Sequence, residues 1–199
     1  MKNHKWGTRT QDDRPVHVVL FVSRNKDNNN IDGFKSRTTS FITKEPPDSE
    51  ILLQKFKAFV NNGLDHEMSR FYYSVNARNE DQIYKDLMIF LIQNPDFNLC
   101  SIESKLAGIA AISKNAVTKQ WMFDFDYPDE EQVLNFCSDI SEINPNNTIA
   151  CHKTPNGYAI ITEHGFDTRG LFKKWDPEKV TLKRDDLLCV KWTTKEESL

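Results

Sequence analysis

The first informative feature of this chain is what it lacks. Its 199 residues contain no internal repeat, no low-complexity tract and no obvious linker. No apolar run approaches the length of a membrane span, so we expect no contact with a membrane. There is no excess of basic residues either. The formal net charge is -3, and nucleic acid must therefore be held, if at all, by a local basic patch.

Cysteine is scarce as well. The four cysteines lie at positions 100, 137, 151 and 189, and no two are close enough in sequence for a CxxC zinc knuckle. A chain of this size does not need disulfides, so we predict reduced and mostly buried thiols. The five histidines show no zinc-type spacing. The N-terminal segment is polar and unlike a signal peptide, which favours a cytoplasmic protein.

What is present suits a globular domain. Hydrophobic residues make up 38% of the chain, and thirteen Phe with four Trp supply bulky core material. We predict one folded domain over residues 16–192. A flexible polar lead-in (1–15) precedes it and a polar tail (193–199) follows it.

Strand and helix patterns are mixed along this domain. Strand patterns occupy residues 16–22, 35–42, 71–76, 121–126, 148–152, 158–162, 180–183 and 187–192. Helical spacing of apolar residues marks approximately 48–60, 79–93, 101–114, 129–141 and 171–175. Residues 23–33 are predicted to be a polar loop, and the last two strands a terminal hairpin. The order predicts an α+β fold, with a mostly antiparallel sheet and helices packed on one face.

The segment WMFDFD at 121–126 carries two carboxylates within an apolar strand. Alternate strand residues share a face, so Asp124 and Asp126 are predicted to stand side by side on a rigid sheet. Two adjacent carboxylates repel each other, and a bound divalent cation removes that repulsion. The alternative is an exposed strand end that leads into an acidic helix start, because acids at 129–131 favour the helix dipole.

A polar turn follows in the segment IACHKTPNGYAIIT at 149–162. Lys153, Thr154 and Asn156 supply hydrogen-bond donors there, and Gly157 permits a close backbone approach or a positive φ. Placed beside the WMFDFD strand, this turn would face the two acids. Together they would hold a metal and a nucleoside triphosphate.

A further strand, FYYSVN, is bracketed by Arg70 and Arg78. The two guanidinium groups suggest contact with phosphate or nucleic acid, or else they are solvated charges at the strand ends. Tyr72 and Tyr73 face opposite ways, so one of them is available to stack on a base. The alternative for either ring is a place in the core.

Three segments then carry a resemblance: RFYYSVNAR at 70–78, WMFDFD at 121–126 and TPNGYA at 154–159. Their content, order and spacing resemble the catalytic core of the archaeo-eukaryotic primase superfamily, the primase-polymerases, in a small phage or mobile-element form. The resemblance covers about half of the chain. A phage-encoded protein of this kind would act in the host cytoplasm.

The resemblance implies a nucleotidyl-transfer core of RRM-like topology in which Asp124 and Asp126 bind Mg²⁺ or Mn²⁺. It also implies a nucleotide-phosphate site on the hairpin and nucleic-acid contacts nearby. By position, the phosphate site would use His152, Lys153, Asn156 and Arg78, and the nucleic-acid contacts Arg70 and Tyr72. The family's third acid would come from a later strand, and the candidates for it are Asp167, Asp185 and Asp186.

One departure from the family pattern bears on activity. Family members commonly have a His on the second hairpin strand, where this chain has Ala159. Either His152 replaces that group from across the hairpin, or the phosphate contact is lost. A chain without the His and without an evident third acid would be an inactive relative.

Three functions follow from these patterns. The first is a metal-dependent nucleotidyltransferase of primase-polymerase type, acting on nucleic acid with nucleoside triphosphates. The alternative is a catalytically inactive relative that binds nucleic acid or a host protein. A metal-dependent nuclease ranks lower, because no catalytic Lys is evident at a suitable spacing after the acids.

Overall fold

The computed structural model describes residues 14–196. The predicted lead-in, 1–15, falls almost entirely outside this range, and the predicted tail, 193–199, does so in part. Two four-stranded antiparallel sheets and the helices that cover them make up the described chain, which confirms an α+β fold. No helix among these residues is long and apolar enough to cross a membrane.

The first sheet combines the N-terminal strands with the last strand of the chain. Its order is β2-β1-β3-β8. The strands are β1 (His17–Ser23), β2 (Arg37–Thr43), β3 (Ser69–Ser74) and β8 (Leu187–Thr193). Val19, Phe21 and Phe71 are buried on one face of this sheet. The other face carries Leu20 and Tyr72, which are direct cross-strand neighbours.

Helices cover one face of this sheet and part of the other. They are α1 (Asn25–Asn28), α2 (Glu50–Asn61), α3 (Glu80–Gln93) and α4 (Ile102–Ala110). Helix α2 is capped by Ser49, whose hydroxyl accepts a hydrogen bond from the Leu52 backbone N–H at 3.3 Å. It buries Phe56 against Phe21 and Phe71. Helices α3 and α4 pack against Val18 on the opposite face, and the remainder of that face stays open.

The second sheet has the predicted RRM-like topology. Its strands are β4 (Trp121–Phe125), β5 (Ile149–Thr154), β6 (Gly157–Thr162) and β7 (Val180–Lys183). Helix α5 (Glu130–Ile143) connects β4 to β5, and α6 (Leu171–Lys174) lies between β6 and β7. The sheet order β5-β6-β4-β7 gives the β-α-β-β-α-β split arrangement with all neighbours antiparallel.

The pleat of β4 separates its apolar side chains from its acids. Phe123 and Phe125 face α5, where both rings contact Phe136 with centroids 5.3 and 5.0 Å apart. Asp129 caps that helix by accepting a hydrogen bond from the Glu131 backbone N–H. The opposite face of β4 is therefore free to present polar groups.

The predicted terminal hairpin is wrong, because β7 and β8 lie in different sheets. β7 pairs with β4, whereas β8 pairs with β3. The three residues between them, 184–186, carry the chain from one sheet to the other. A small cluster of Met122, Ala159, Ile161 and Leu188 joins the two sheets. Strand patterns alone do not reveal this, since both strands are apolar and short enough for a hairpin.

Candidate functional site

A cleft of about 480 Å³ lies between the open face of the first sheet and the acid-bearing face of the second. Both sheets contribute charged side chains, and the cleft carries acids and bases together. The acids that line it are Asp124, Asp126 and Asp186, and the bases are Arg24, Lys26, Arg70 and Lys183. Tyr72, Thr154 and Asn156 add neutral polar groups.

Asp124 and Asp126 are two of the acids with which the second sheet lines the cleft. Asp124 is half-buried, whereas Asp126 is exposed. Within residues 14–196 neither carboxylate forms an ion pair at 4 Å or less. Burial and the nearby Asp126 charge raise the pKa of Asp124, and the positive charge of Lys183 opposes them. The two carboxylates thus repel each other without an ion-paired cationic side chain among the described residues, and a bound cation would offset that repulsion.

Of the three candidate third acids, only Asp186 lines the cleft. Its charge also acts to raise the pKa of Asp124. Asp167 is exposed and forms an ion pair with Arg169. Asp185 is buried in an ion pair with Arg78. Asp186 therefore joins the predicted pair, and the sequence had not distinguished it from its neighbour.

The facing wall of the cleft is built around Asp27 on α1. Arg70 of β3 donates two hydrogen bonds to this carboxylate, at 2.7 and 2.6 Å. Arg24, at the end of β1, donates a third at 2.7 Å. The arrangement fixes both guanidinium groups beside the cleft and leaves a net positive charge there. The side chain of Arg24 is 35% exposed, so that guanidinium is accessible to an anion.

Tyr72 lies next to this basic wall. It is half-buried on β3 and lines the same cleft as Arg70. Burial raises the pKa of its phenol, so the hydroxyl stays protonated at neutral pH. A protonated phenol on a partly exposed aromatic ring suits a sugar or a base better than a metal ion.

The polar turn between β5 and β6 packs closely on the end of β4. A Cβ atom placed on Gly157 would lie 2.2 Å from the backbone oxygen of Phe125 and 3.2 Å from Cα of Asp126. Gly157 has no positive φ in this turn. The glycine is thus required for close approach, and that approach brings Thr154 and Asn156 beside the acids.

We expect Gly157→Ala to destabilise the protein by about 1–3 kcal/mol, because the methyl group cannot fit without displacing backbone at the end of β4. Urea denaturation of the purified variant measures this directly. Gly108→Ala is the matched control, since no atom outside the backbone of its own helix lies within 4 Å of a Cβ added there. Gly108 lies inside α4, where alanine is the better helix former, so that variant should be stabilised by about 0.5–1 kcal/mol. Equal stability of the two variants would contradict this account.

His152 and Lys153 do not line this cleft. They line a second, larger cavity of about 590 Å³, which also contacts the stacked His17–Tyr73 pair. His152 pairs directly with Ala159, and Ala159 pairs with Asp124, so the three residues form one row across the sheet. Because β6 lies between them, the β5 strand that carries His152 is about 10 Å, or two strand spacings, from the β4 strand that carries Asp124. Ala159 leaves the middle of that row without a polar group.

Arg78 lies away from the cleft altogether. Its guanidinium donates two hydrogen bonds of 2.8 Å to Asp185, and its side chain is 1% exposed. Asn76 donates a further hydrogen bond to the same carboxylate. With its charge neutralised and out of solvent, Arg78 holds the connection between β7 and β8 and is not placed to bind a phosphate.

Sequence reasoning missed the residues of α1 and the base on β7. Arg24, Lys26 and Asp27 lie in the segment predicted to be a polar loop, and Lys183 ends a strand that was assigned to a hairpin. One signal was present: Arg24 and Asp27 have the i, i+3 spacing of a helical ion pair. Their position opposite the acids depends on the packing of the two sheets.

The site suits a divalent cation that arrives with a substrate. Mg²⁺ and Mn²⁺ take carboxylate ligands, and Mg²⁺ commonly uses one or two of them together with substrate phosphates. Across the described range, 14–196, no group of three or more His, Cys, Asp or Glu side chains is arranged to hold a metal. Asp124 and Asp126 could supply only two carboxylate ligands, so phosphate oxygens and water would have to complete the coordination of a cation.

The comparisons with known proteins add no relative to these observations. No protein-family model, no curated protein and no solved structure matches this chain.

Proposed function

We propose that this protein is a metal-dependent nucleotidyltransferase of primase-polymerase type, which binds a nucleoside triphosphate in the inter-sheet cleft and acts on nucleic acid. One observation carries the proposal. Two unpaired carboxylates, Asp124 and Asp126, face a wall of fixed guanidinium groups across a cleft large enough for a small ligand. A ligand that carries both phosphates and a bound cation complements both walls at once.

The acidic wall would hold the cation. Asp124 and Asp126 are the ligands, and Asp186 adds negative charge from the strand connection. A bound Mg²⁺ or Mn²⁺ would neutralise phosphate charge and activate the attacking hydroxyl of the nucleic acid. The sheet supplies rigidity: β4 is paired on both sides, so the two carboxylates cannot separate to relieve their repulsion.

The basic wall would receive the phosphates. Lys26 is exposed and Arg24 is partly exposed, and Lys183 also lines the cleft. Asp27 holds Arg24 and Arg70 in place before the ligand binds, which reduces the entropy lost on binding. Arg70 is almost buried, so its role is to position the wall and to supply charge. Thr154, Asn156 and Tyr72 are placed to bind the sugar or the base.

A thermal-shift titration tests this proposal. We expect little stabilisation by Mn²⁺ alone or by a nucleoside triphosphate alone, and a clear rise in melting temperature when both are present. At a ligand concentration of about one hundred times Kd, the stabilisation is about 2.7 kcal/mol, or a rise of approximately 5–10 °C. A primer-extension assay with the same cation follows. Absence of any joint shift, together with absence of extension, would reject the proposed function.

A second candidate rests on Ala159. Because this residue leaves no polar group between Asp124 and His152, a contact that the family resemblance implies is missing. The candidate is an inactive relative that binds nucleic acid or a host protein on the same scaffold. This inactive relative would bind single-stranded nucleic acid or a captured protein, and neither a chelator nor Asp124→Asn would change that binding.

A nuclease would instead shorten labelled strands when Mn²⁺ is added.

A further inference from the structure

Two thiols meet on the face of the second sheet that is turned away from the cleft. Cys137 of α5 and Cys151 of β5 have their Sγ atoms 3.3 Å apart. Cys151 pairs with Ile160, whose side chain lies in the core beneath α5, and it therefore faces the helix. Cys151 is exposed and Cys137 is half-buried, so the prediction of mostly buried thiols is wrong.

We propose that Cys137 and Cys151 form a two-electron oxidation site, at which a hydroperoxide closes a disulfide between α5 and β5. The contact carries this inference, because a disulfide bond of about 2.0 Å needs the two sulfurs to approach by little more than 1 Å. The other cysteines do not offer this geometry. Cys100 is exposed without a neighbouring thiol in the described chain, and Cys189 is buried.

The roles of the two thiols differ. A hydrogen bond from the Cys137 thiol lowers the pKa of Cys151 to about 7, whereas that same bond and burial raise the pKa of Cys137. Cys151 is thus the nucleophile. Its thiolate attacks a peroxide oxygen, the O–O bond breaks, and a sulfenic acid forms as the leaving oxygen takes up a proton and departs as an alcohol, or as water when the oxidant is hydrogen peroxide. Cys137 then attacks the Cys151 sulfur, the S–O bond breaks, and water leaves. Two thiols and one hydroperoxide give one disulfide, water and the reduced form of the peroxide.

The position of β5 favours closure. β5 is the edge strand of its sheet and pairs only with β6 among the described strands, so a small shift towards α5 would disturb one strand ladder and not two. The disulfide would span a separation of 14 residues in sequence. Because it removes conformational entropy from the unfolded chain, the oxidised protein should be more stable than the reduced protein. The site is independent of the proposed nucleotidyl transfer.

Peptide mapping after treatment with hydrogen peroxide tests the inference. We expect one intramolecular cross-link that joins the peptides of Cys137 and Cys151, with loss of two hydrogens. The melting temperature should rise by about 5–10 °C and return to its original value with dithiothreitol. Cys100→Ser should behave in the same way as the wild type, since Cys100 lies outside the pair. Oxidation confined to Cys100, or cross-links only between molecules, would overturn the proposal.

The variant Cys137→Ser separates the two steps. Serine cannot resolve a sulfenic acid, so peroxide should leave Cys151 as a species that dimedone labels, whereas the wild type should show little labelling. The reverse variant, Cys151→Ser, should lose rapid oxidation altogether. Equal dimedone labelling of Cys151 in the wild type and in Cys137→Ser would show that the pair does not close. Strong, persistent dimedone labelling of Cys151 in the wild type alone would overturn the proposal as well, and that measurement does not depend on the folding of a variant.

Discussion

The double substitution Asp124→Asn/Asp126→Asn should abolish nucleotide incorporation, with a loss of at least about 1,000-fold. Both carboxylates that are proposed to bind the cation are then neutral amides. The joint stabilisation by Mn²⁺ and nucleoside triphosphate should disappear with it. Template-directed incorporation assays and thermal-shift titrations on one protein preparation measure the two effects together.

The same variant should be at least as stable as the wild type when no ligand is present. Burial and mutual repulsion make the Asp124 carboxylate unfavourable in the folded state, and asparagine removes both costs. Greater stability combined with lost activity is characteristic of residues kept for function. Glu131→Gln/Glu163→Gln is the matched control, because it removes the same two charges from exposed positions outside the cleft. Incorporation by the Asp124/Asp126 variant at the wild-type rate would reject the assignment of the acids.

This stability difference should depend on pH. The pKa of Asp124 is raised above its ordinary value of 3.8, so the folded state binds the proton more tightly than the unfolded state does. The ionised form therefore costs stability above the raised pKa, and that cost vanishes as the pH falls below 3.8. We expect Asp124→Asn to exceed the wild type most clearly near neutral pH and to match it in acid. Urea denaturation at several pH values measures the difference, and a gap that widens in acid would contradict the sign.

The second large effect is expected at Asp185. Asp185→Ala should destabilise the protein by about 3–5 kcal/mol, because it leaves the buried Arg78 guanidinium without its partner. The Arg78 and Asp185 side chains are 1% and 8% exposed, so solvent cannot replace the lost ion pair. The midpoint of urea denaturation should fall at constant m value. A loss of this size is a large fraction of the stability of an ordinary domain.

The adjacent residue provides the control. Asp186→Ala makes the same change of charge one position away, but Asp186 forms no ion pair among the described residues and lines the cleft. It should lower ligand-dependent stabilisation while changing the stability of the free protein by less than about 1 kcal/mol. The double variant Arg78→Met/Asp185→Ala should recover part of the loss, since no unpaired charge is left buried. Equal destabilisation by the two single alanine variants would show that the ion pair does not anchor the connection.

Much of the local structure follows from the sequence. The alternation in WMFDFD places the phenylalanines towards α5 and both acids on the opposite face, as the strand pattern predicts. Helices α2 and α5 begin directly after Ser49 and Asp129, because the side chains of these two residues cap them. The close backbone approach at Gly157 is one of the two possibilities that a glycine in this turn suggests, and only glycine fits there. Each of these features depends on residues close in sequence or on the alternation of side chains along a single strand.

The tertiary structure alone decided which side chains face the acids. Arg24 and Asp27 are separated from Asp124 by about one hundred residues, and no local pattern connects them. The division of β7 and β8 between two sheets depends on the buried Arg78–Asp185 pair and on the cluster around Met122. That division makes Asp185 structural, leaves Asp186 in the cleft, and removes Arg78 from it. The spacing of apolar residues predicts on which face of a strand or helix a side chain lies. The packing of the two sheets determines which residues that face contacts.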